Sequence, residues 1–100
     1  MVDVATSQRN IPIKLTDERW NHILEGHPEL ANHKTDVLKV VSTPELILEG
    51  NNGALMGVRE IKPNKWLVVV YTELVNSGFI LTAYFTSRFR SLTKRKQLWP

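Results

Sequence analysis

Two short amphipathic segments followed by four strand-like runs predict an α+β domain, with N-terminal helices packed on a four-stranded antiparallel β-meander. Three observations carry this reading. Trp20, Ile23 and Leu24 recur at helical spacing. The run from Trp66 to Tyr71 is almost entirely apolar and valine-rich, as a buried strand is. Turn residues punctuate the second half at Asn51-Asn52-Gly53, Lys62-Pro63-Asn64-Lys65 and Asn76-Ser77-Gly78.

In chain order, residues 1–10 are polar, without an apolar run, and read as a flexible leader that is neither signal peptide nor anchor. Ile11 to Leu15 reads as a short edge strand, because proline is tolerated at an edge or a strand start. Thr16 is a good N-cap, and Asp17 and Glu18 suit the positive end of the helix dipole. That helix runs to about Glu25, with Gly26 as a C-cap candidate and Pro28 just beyond. After a polar loop through His33, Thr35 or Asp36 caps a second helix with Val37, Val40 and Val41 inward, and Thr43-Pro44 ends it. Strands are expected over Glu45–Glu49, Ala54–Ile61, Trp66–Leu74 and Phe79–Thr86. Short turns between them make the meander antiparallel. Residues 11–88 thus form one domain, and 89–100 a basic C-terminal tail.

One hundred residues suffice for one modest core. With no cysteine, disulfides, thiolate metal sites and cysteine nucleophiles are excluded. A domain this small without staples fits a reducing cytoplasmic setting, and no stretch is apolar enough to span a membrane. Five of the 13 Lys and Arg residues (Arg88, Arg90, Lys94, Arg95 and Lys96) lie in the last thirteen positions, which contain no acid. A clustered basic segment is what a polyanion binder presents, although a solvated terminus has the same composition.

Histidine is the usual proton-transfer group near neutral pH. On a helical wheel His27 falls within roughly 20° of Trp20, in the apolar stripe, and His22 roughly 160° away on the polar face. Pro28 biases His27 out of the helical region, and a histidine at a helix end also has the simpler role of meeting the last carbonyls. By strand alternation Leu55, Gly57, Arg59 and Ile61 share a face, which sets an arginine among apolar neighbours. Ile80, Thr82, Tyr84 and Thr86 are expected on one face of the last strand, and Phe79, Leu81, Ala83 and Phe85 in the core. Histidine, arginine and hydroxyl groups are the parts needed for RNA cleavage by 2′-hydroxyl attack. The chain contains no HExxH, no glycine-rich phosphate loop and no G-x-S-x-G turn. No metal or other cofactor is expected.

The run from Ile13 to Leu30, IKLTDERWNHILEGHPEL, resembles the opening of a group of small prokaryotic and phage domains in the barnase–EndoU–colicin–RelE-like nuclease superfamily. Pro44-Glu45-Leu46-Ile47, Leu67 to Tyr71 and Phe79 to Arg88 add to the likeness, in order, across residues 11–88. The resemblance implies a RelE/barnase-like fold and metal-independent RNA cleavage. On matching positions it implies a catalytic set of His27, with His22, Arg59, Thr86 and Arg88. RNA contacts are then expected at Tyr84, Ser87, Arg90, Lys94, Arg95 and Lys96. The expected function is a ribonuclease-like, toxin-like domain whose partners are RNA and an antitoxin or immunity-type protein. The alternative is a non-catalytic RNA-binding or protein-interaction domain on the same fold. In that case Phe89, Leu92, Leu98 and Trp99 of the tail could dock on a partner or on the protein's own core.

Overall fold

The computed structural model describes every residue from Met1 to Pro100. Its elements in order are β1 (Val2–Thr6), β2 (Pro12–Thr16), α1 (Asp17–Gly26), a 3-10 turn (Pro28–Leu30) and α2 (Lys34–Ser42). Then come β3 (Leu46–Glu49), a 3-10 turn (Asn51–Gly53), β4 (Leu55–Lys62), β5 (Lys65–Glu73), β6 (Gly78–Thr86), α3 (Phe89–Leu92) and β7 (Gln97–Trp99). No helix is long and apolar enough to cross a membrane.

The strands form one mixed sheet in the order β1-β2-β6-β5-β4-β3-β7. This overturns the expected four-stranded antiparallel meander with N-terminal helices packed on it. The sheet has seven strands, only three short helices accompany it, and β2 runs parallel to β6. Strands β3 to β6 pair antiparallel in sequence order, but they are the middle of the sheet and not its whole. The supposed leader supplies β1, which pairs with β2 over its full length, so β2 is interior and not an edge. The supposed tail supplies α3 and also β7, which pairs with β3. These pieces escaped sequence reading for a physical reason. A five-residue strand carries little periodicity, and a parallel pairing has no turn to announce it.

Local chemistry explains the helices. Thr16 Oγ1 accepts from Arg19 N at 3.1 Å, satisfying one orphan donor of α1. Neither Thr35 nor Asp36 caps α2, which starts at Lys34 with His33 in the cap position, two or three residues earlier than expected. Instead Asp36, in its first turn, accepts from His33 Nδ1 at 2.9 Å. At the β4–β5 turn Asn64 adopts φ 61°, a left-handed conformation that asparagine tolerates better than most residues.

One core lies between the sheet and helices α1 and α2. It joins Ile13 and Leu15 of β2, Leu67, Val69 and Tyr71 of β5, and Ile80 and Ala83 of β6 to Trp20, Ile23, Val37, Val40 and Val41. Each fully buried aliphatic side chain contributes on the order of 1.5–3 kcal/mol. A smaller cluster on the opposite face joins Leu48, Met56, Val58 and Val68 to Leu92 of α3. In β6, Val70 pairs with Thr82 and Tyr71 with Ile80, leaving Leu81 as a bulge. The bulge reverses the expected phase: Ile80 is 1% exposed in the helix-side core while Phe79 is 44% exposed.

Two expectations follow from this packing. A Cβ on Gly78 would lie 1.9 Å from the Thr72 carbonyl oxygen and 2.8 Å from Ile13 Cδ1. Backbone cannot give way as a side-chain tip can, so Gly78→Ala should cost about 3 kcal/mol in urea denaturation. Tyr71 is buried with no partner for its hydroxyl, and burial, reinforced by the negative charge of Glu73 and opposed by Arg9, pushes its phenol from 10.0 up to about 12. Above pH 10 the unfolded chain releases this proton while the folded chain keeps it, so stability falls as pH rises toward about 12. The loss should approach about 3 kcal/mol, at about 1.4 kcal/mol per pKa unit. In Tyr71→Phe, denaturant titrations across that range should lack this part of the alkaline decline.

Candidate nucleic-acid interface

The two faces of the sheet are unequally covered. Helices α1 and α2 seal one. On the other, α3 covers only part, with Leu92 inserted over β3, β4 and β5. Register and alternation place Glu60, Trp66 and Thr86 in one row across this open face, and Val58, Val68 and Tyr84 in the next.

At the end of the first row an open groove is lined by Trp66 and Phe89 with Ser87, Arg88, Arg90 and Ser91. The two aromatic rings stack with centroids 4.1 Å apart and planes 22° apart. Local bonds fix the turn that carries the arginines: Arg88 N donates to Thr86 Oγ1 at 3.0 Å, and Leu92 N and Ser91 N both donate to the Arg88 carbonyl. Arg88 and Arg90 are exposed and make no side-chain ion pair. Glu60, at the rim, accepts from Asn64 N at 2.9 Å and so holds the β4–β5 turn. The groove therefore combines a π-surface, two free guanidinium groups and two hydroxyls, a set that suits a base next to a phosphate.

His27 reaches the same face from the side. Strand β2 pairs with β6 only at Gly78 and Phe79, which leaves the rest of that edge to α1. Arg19 Nη1 donates to the Leu81 carbonyl, at the bulge, at 3.5 Å. His27 leaves helical geometry with φ −137°, so its ring departs from the apolar stripe that wheel arithmetic gave it. Its side chain is 37% exposed, its Nδ1 lies 3.5 Å from Glu29 Oε2, and its ring centroid is 6.2 Å from that of Tyr84. Burial raises the Tyr84 phenol above its ordinary value, and the positive charge of Arg95 opposes the shift. Tyr84 is thus a neutral hydroxyl at physiological pH.

The expected set is brought together only in part. Tyr84 and His27 meet, and Thr86, Ser87, Arg88 and Arg90 gather at the groove. Arg59 does not join them: it faces the helical side and donates to the Thr43 carbonyl at 2.8 Å, a structural anchor between β4 and the end of α2. His22 lies on the exposed outer side of α1, among Thr16, Glu18, Asn21 and Glu25. Lys94 and Lys96 are exposed, whereas Arg95 is tied to the Glu49 carbonyl and Asn51 Oδ1, both at 3.3 Å. Of the tail's apolar residues, Leu92 is buried and Phe89 packs on the second cluster, while Leu98 is 39% exposed. His33 bonds Asp36 and meets Phe85 edge-on at 5.0 Å, between α2 and the sheet.

Trp66 and Ser91 were not singled out from the sequence as ligand contacts, and Phe89 was named only as a residue that docks on a protein partner or on the core. The available signal was Phe89 itself, an aromatic residue set between two arginines. No protein-family model, no curated protein and no solved structure matches this chain.

Placing Arg59 with the scaffold has a measurable consequence. Arg59→Ala strips the Thr43 carbonyl of a charged donor and should lower stability by about 1 kcal/mol in urea denaturation. RNA affinity of the folded variant should stay at the wild-type level in a fluorescence titration.

Proposed function

We propose that this domain binds single-stranded RNA on its open sheet face and cleaves it without a metal. The observation that carries the reading is the groove that stacked Trp66 and Phe89 line together with Arg88 and Arg90, on the sheet face that also carries Tyr84, which His27 approaches. A nucleobase stacks on the aromatic surface, a contact worth about 1–3 kcal/mol per base. Arg88 and Arg90 neutralise the neighbouring phosphate, and the exposed Lys94 and Lys96 extend the cationic track. The resemblance read in the sequence of residues 11–88 to barnase–EndoU–colicin–RelE-like nucleases points the same way, although the fold it implied is not the one found.

In the reaction, the ribose 2′-oxygen forms a bond to phosphorus and the bond from phosphorus to the 5′-oxygen breaks. The proton leaves the 2′-hydroxyl for a base, and an acid returns one to the 5′-oxygen, giving a 2′,3′-cyclic phosphate and a 5′-hydroxyl. His27 is the group suited to the proton steps, being accessible and beside a neutral phenol. Tyr84 and Thr86 offer hydroxyl donors, and the arginines meet the charge that develops on the phosphate. Arg59 and His22 are left out of this set by their positions.

A second reading has its own support. Because Arg59 and His22 stand apart from the groove, the same face serves as a binding module without cleavage, on which a neutralising protein partner would also act by covering the groove.

Labelled single-stranded RNA incubated in EDTA should yield 2′,3′-cyclic phosphate ends with the wild type and none with His27→Ala, while both bind equally. Binding without cleavage by the wild type would leave the module reading alone. In a salt titration, Arg88→Ala/Arg90→Ala should reduce the slope of log K against log salt by about 1.4, as expected for two lost phosphate contacts. An unchanged slope would remove these arginines from the interface, and absence of binding by the wild type would overturn both readings.

A further inference from the structure

The seven-stranded sheet ends in two unlike edges, β1 and β7. Strand β7 is three residues long, with Lys94, Arg95 and Lys96 just before it and Pro100 just after. Short length, charge and proline are the devices that keep an edge from pairing. Strand β1 is five residues long, Val-Asp-Val-Ala-Thr, and pairs with β2 without a bulge. Its one charge, Asp3, turns to the helix side, where Lys34 Nζ holds it at 2.6 Å. Ala5 lies in the core on that side, while Val2 and Val4 on the other face are 49% and 53% exposed.

The ladder fixes where the backbone of β1 points. Asp17 N donates to the Met1 carbonyl at 3.3 Å, and Ser7 N donates to the Ile11 carbonyl at 2.9 Å. Both pairs continue the register in which Val2 faces Thr16 and Thr6 faces Pro12. Bonded and non-bonded pairs alternate along an antiparallel ladder. Asp3 and Ala5 therefore bond to β2, and Val2, Val4 and Thr6 direct their N–H and C=O groups outward. No turn, loop or cap bond takes these groups.

A second β1 fits this row in antiparallel register. Full overlap sets Val4 against Val4 of the second copy, and Val2 against its Thr6. These are the outward-directed residues, so each such pair exchanges two backbone bonds. Asp3 then faces Ala5. A register centred on Asp3 would oppose the two aspartates, and one centred on Ala5 would leave Val2 beyond the partner strand. Facing β-branched side chains add a stabilising contact across the strands. The strand is thus complementary to itself in charge and in hydrogen bonding. Only one edge of each copy is open, so the pairing is isologous and closes at two copies.

We propose that this chain forms a two-fold dimer through β1–β1 pairing centred on Val4, which joins the two sheets edge to edge. The interface is separate from the groove at β4, β5 and β6 and does not rest on the RNA reading.

Analytical ultracentrifugation of the full chain, in a dilution series reaching the millimolar range, should show association from one chain to two and no further. In amide hydrogen exchange followed by NMR, Val2, Val4 and Thr6 should exchange more slowly as concentration rises. Asp3 and Ala5, already bonded to β2, should not change. Val4→Lys and Val4→Glu each set like charges opposite one another and should weaken self-association by about fivefold. Mixed, the two variants should associate more tightly than either alone, because lysine then faces glutamate. If either variant does not fold, the exchange pattern of the wild type decides. A monomer at every concentration would overturn the proposal. Growth beyond two copies, protection that falls elsewhere than on the outward amides, or no gain on mixing would do the same.

Discussion

Strand β5 is apolar on both faces. Leu67, Val69 and Tyr71 enter the core beneath the helices, while Val68 and its partly buried neighbours Trp66 and Val70 enter the second cluster. A strand with two apolar faces has to be covered on both, and it has to be hydrogen-bonded along both edges. The other placements answer to that demand. Strand β4 pairs with it from Lys65 to Tyr71 and β6 from Trp66 to Glu73, α1 and α2 close one side, and α3 is drawn from the basic tail to cover part of the other. Because α3 is only four residues long, it covers too little, and the strip of sheet left over is the open face with the groove.

The same demand explains why polar residues gather where they do. On the open face, β6 presents Thr82, Tyr84 and Thr86, a set that tolerates partial hydration. The bulge at Leu81 makes this possible. With strict alternation, Ile80 would sit on the threonine face; one extra residue returns it to the core and leaves three hydroxyl side chains together. Its carbonyl is taken by Arg19 of α1. The helix that brings His27 toward Tyr84 is thus linked to the irregularity that exposes Tyr84.

Much of this was legible in the sequence, and the divisions are physical. Local signals read well: Thr16 caps α1, Asn52-Gly53 and Asn64 turn the chain, and the four central strands fall where β-branched runs end at turn residues. Signals that depend on partners did not read. Val2 and Val4 are too few to mark a strand until β2 is beside them. Leu92 and Phe89 looked like stray apolar residues among charges until the second sheet face needed them. Alternation grouped Arg59 with Leu55, Gly57 and Ile61, but the partner expected for it was an anion or a carboxylate, and the one found is a backbone carbonyl sixteen residues away, which no side-chain pattern reports. His27 followed helical arithmetic only as far as the helix lasted, and Pro28 ended that.

The parallel pairing of β2 with β6 has a kinetic side. It joins Ile13 to Gly78 and Lys14 to Phe79, while β7 returns across half the chain to meet β3 at Ile47 and Leu48. The meander in between is built of hairpins that close cheaply and fast. The outer pairings must close long loops, whose entropy is spent before any contact rewards it. The meander therefore forms first, and the slow step is the docking of β2 and its partner β1 onto an already formed β6. Until that happens the edge of β6 is bare, an unpaired strand with Phe79 exposed beside it. The interval before docking is when this chain is most open to pairing with the wrong strand, and a shorter path between β2 and β6 would shorten it.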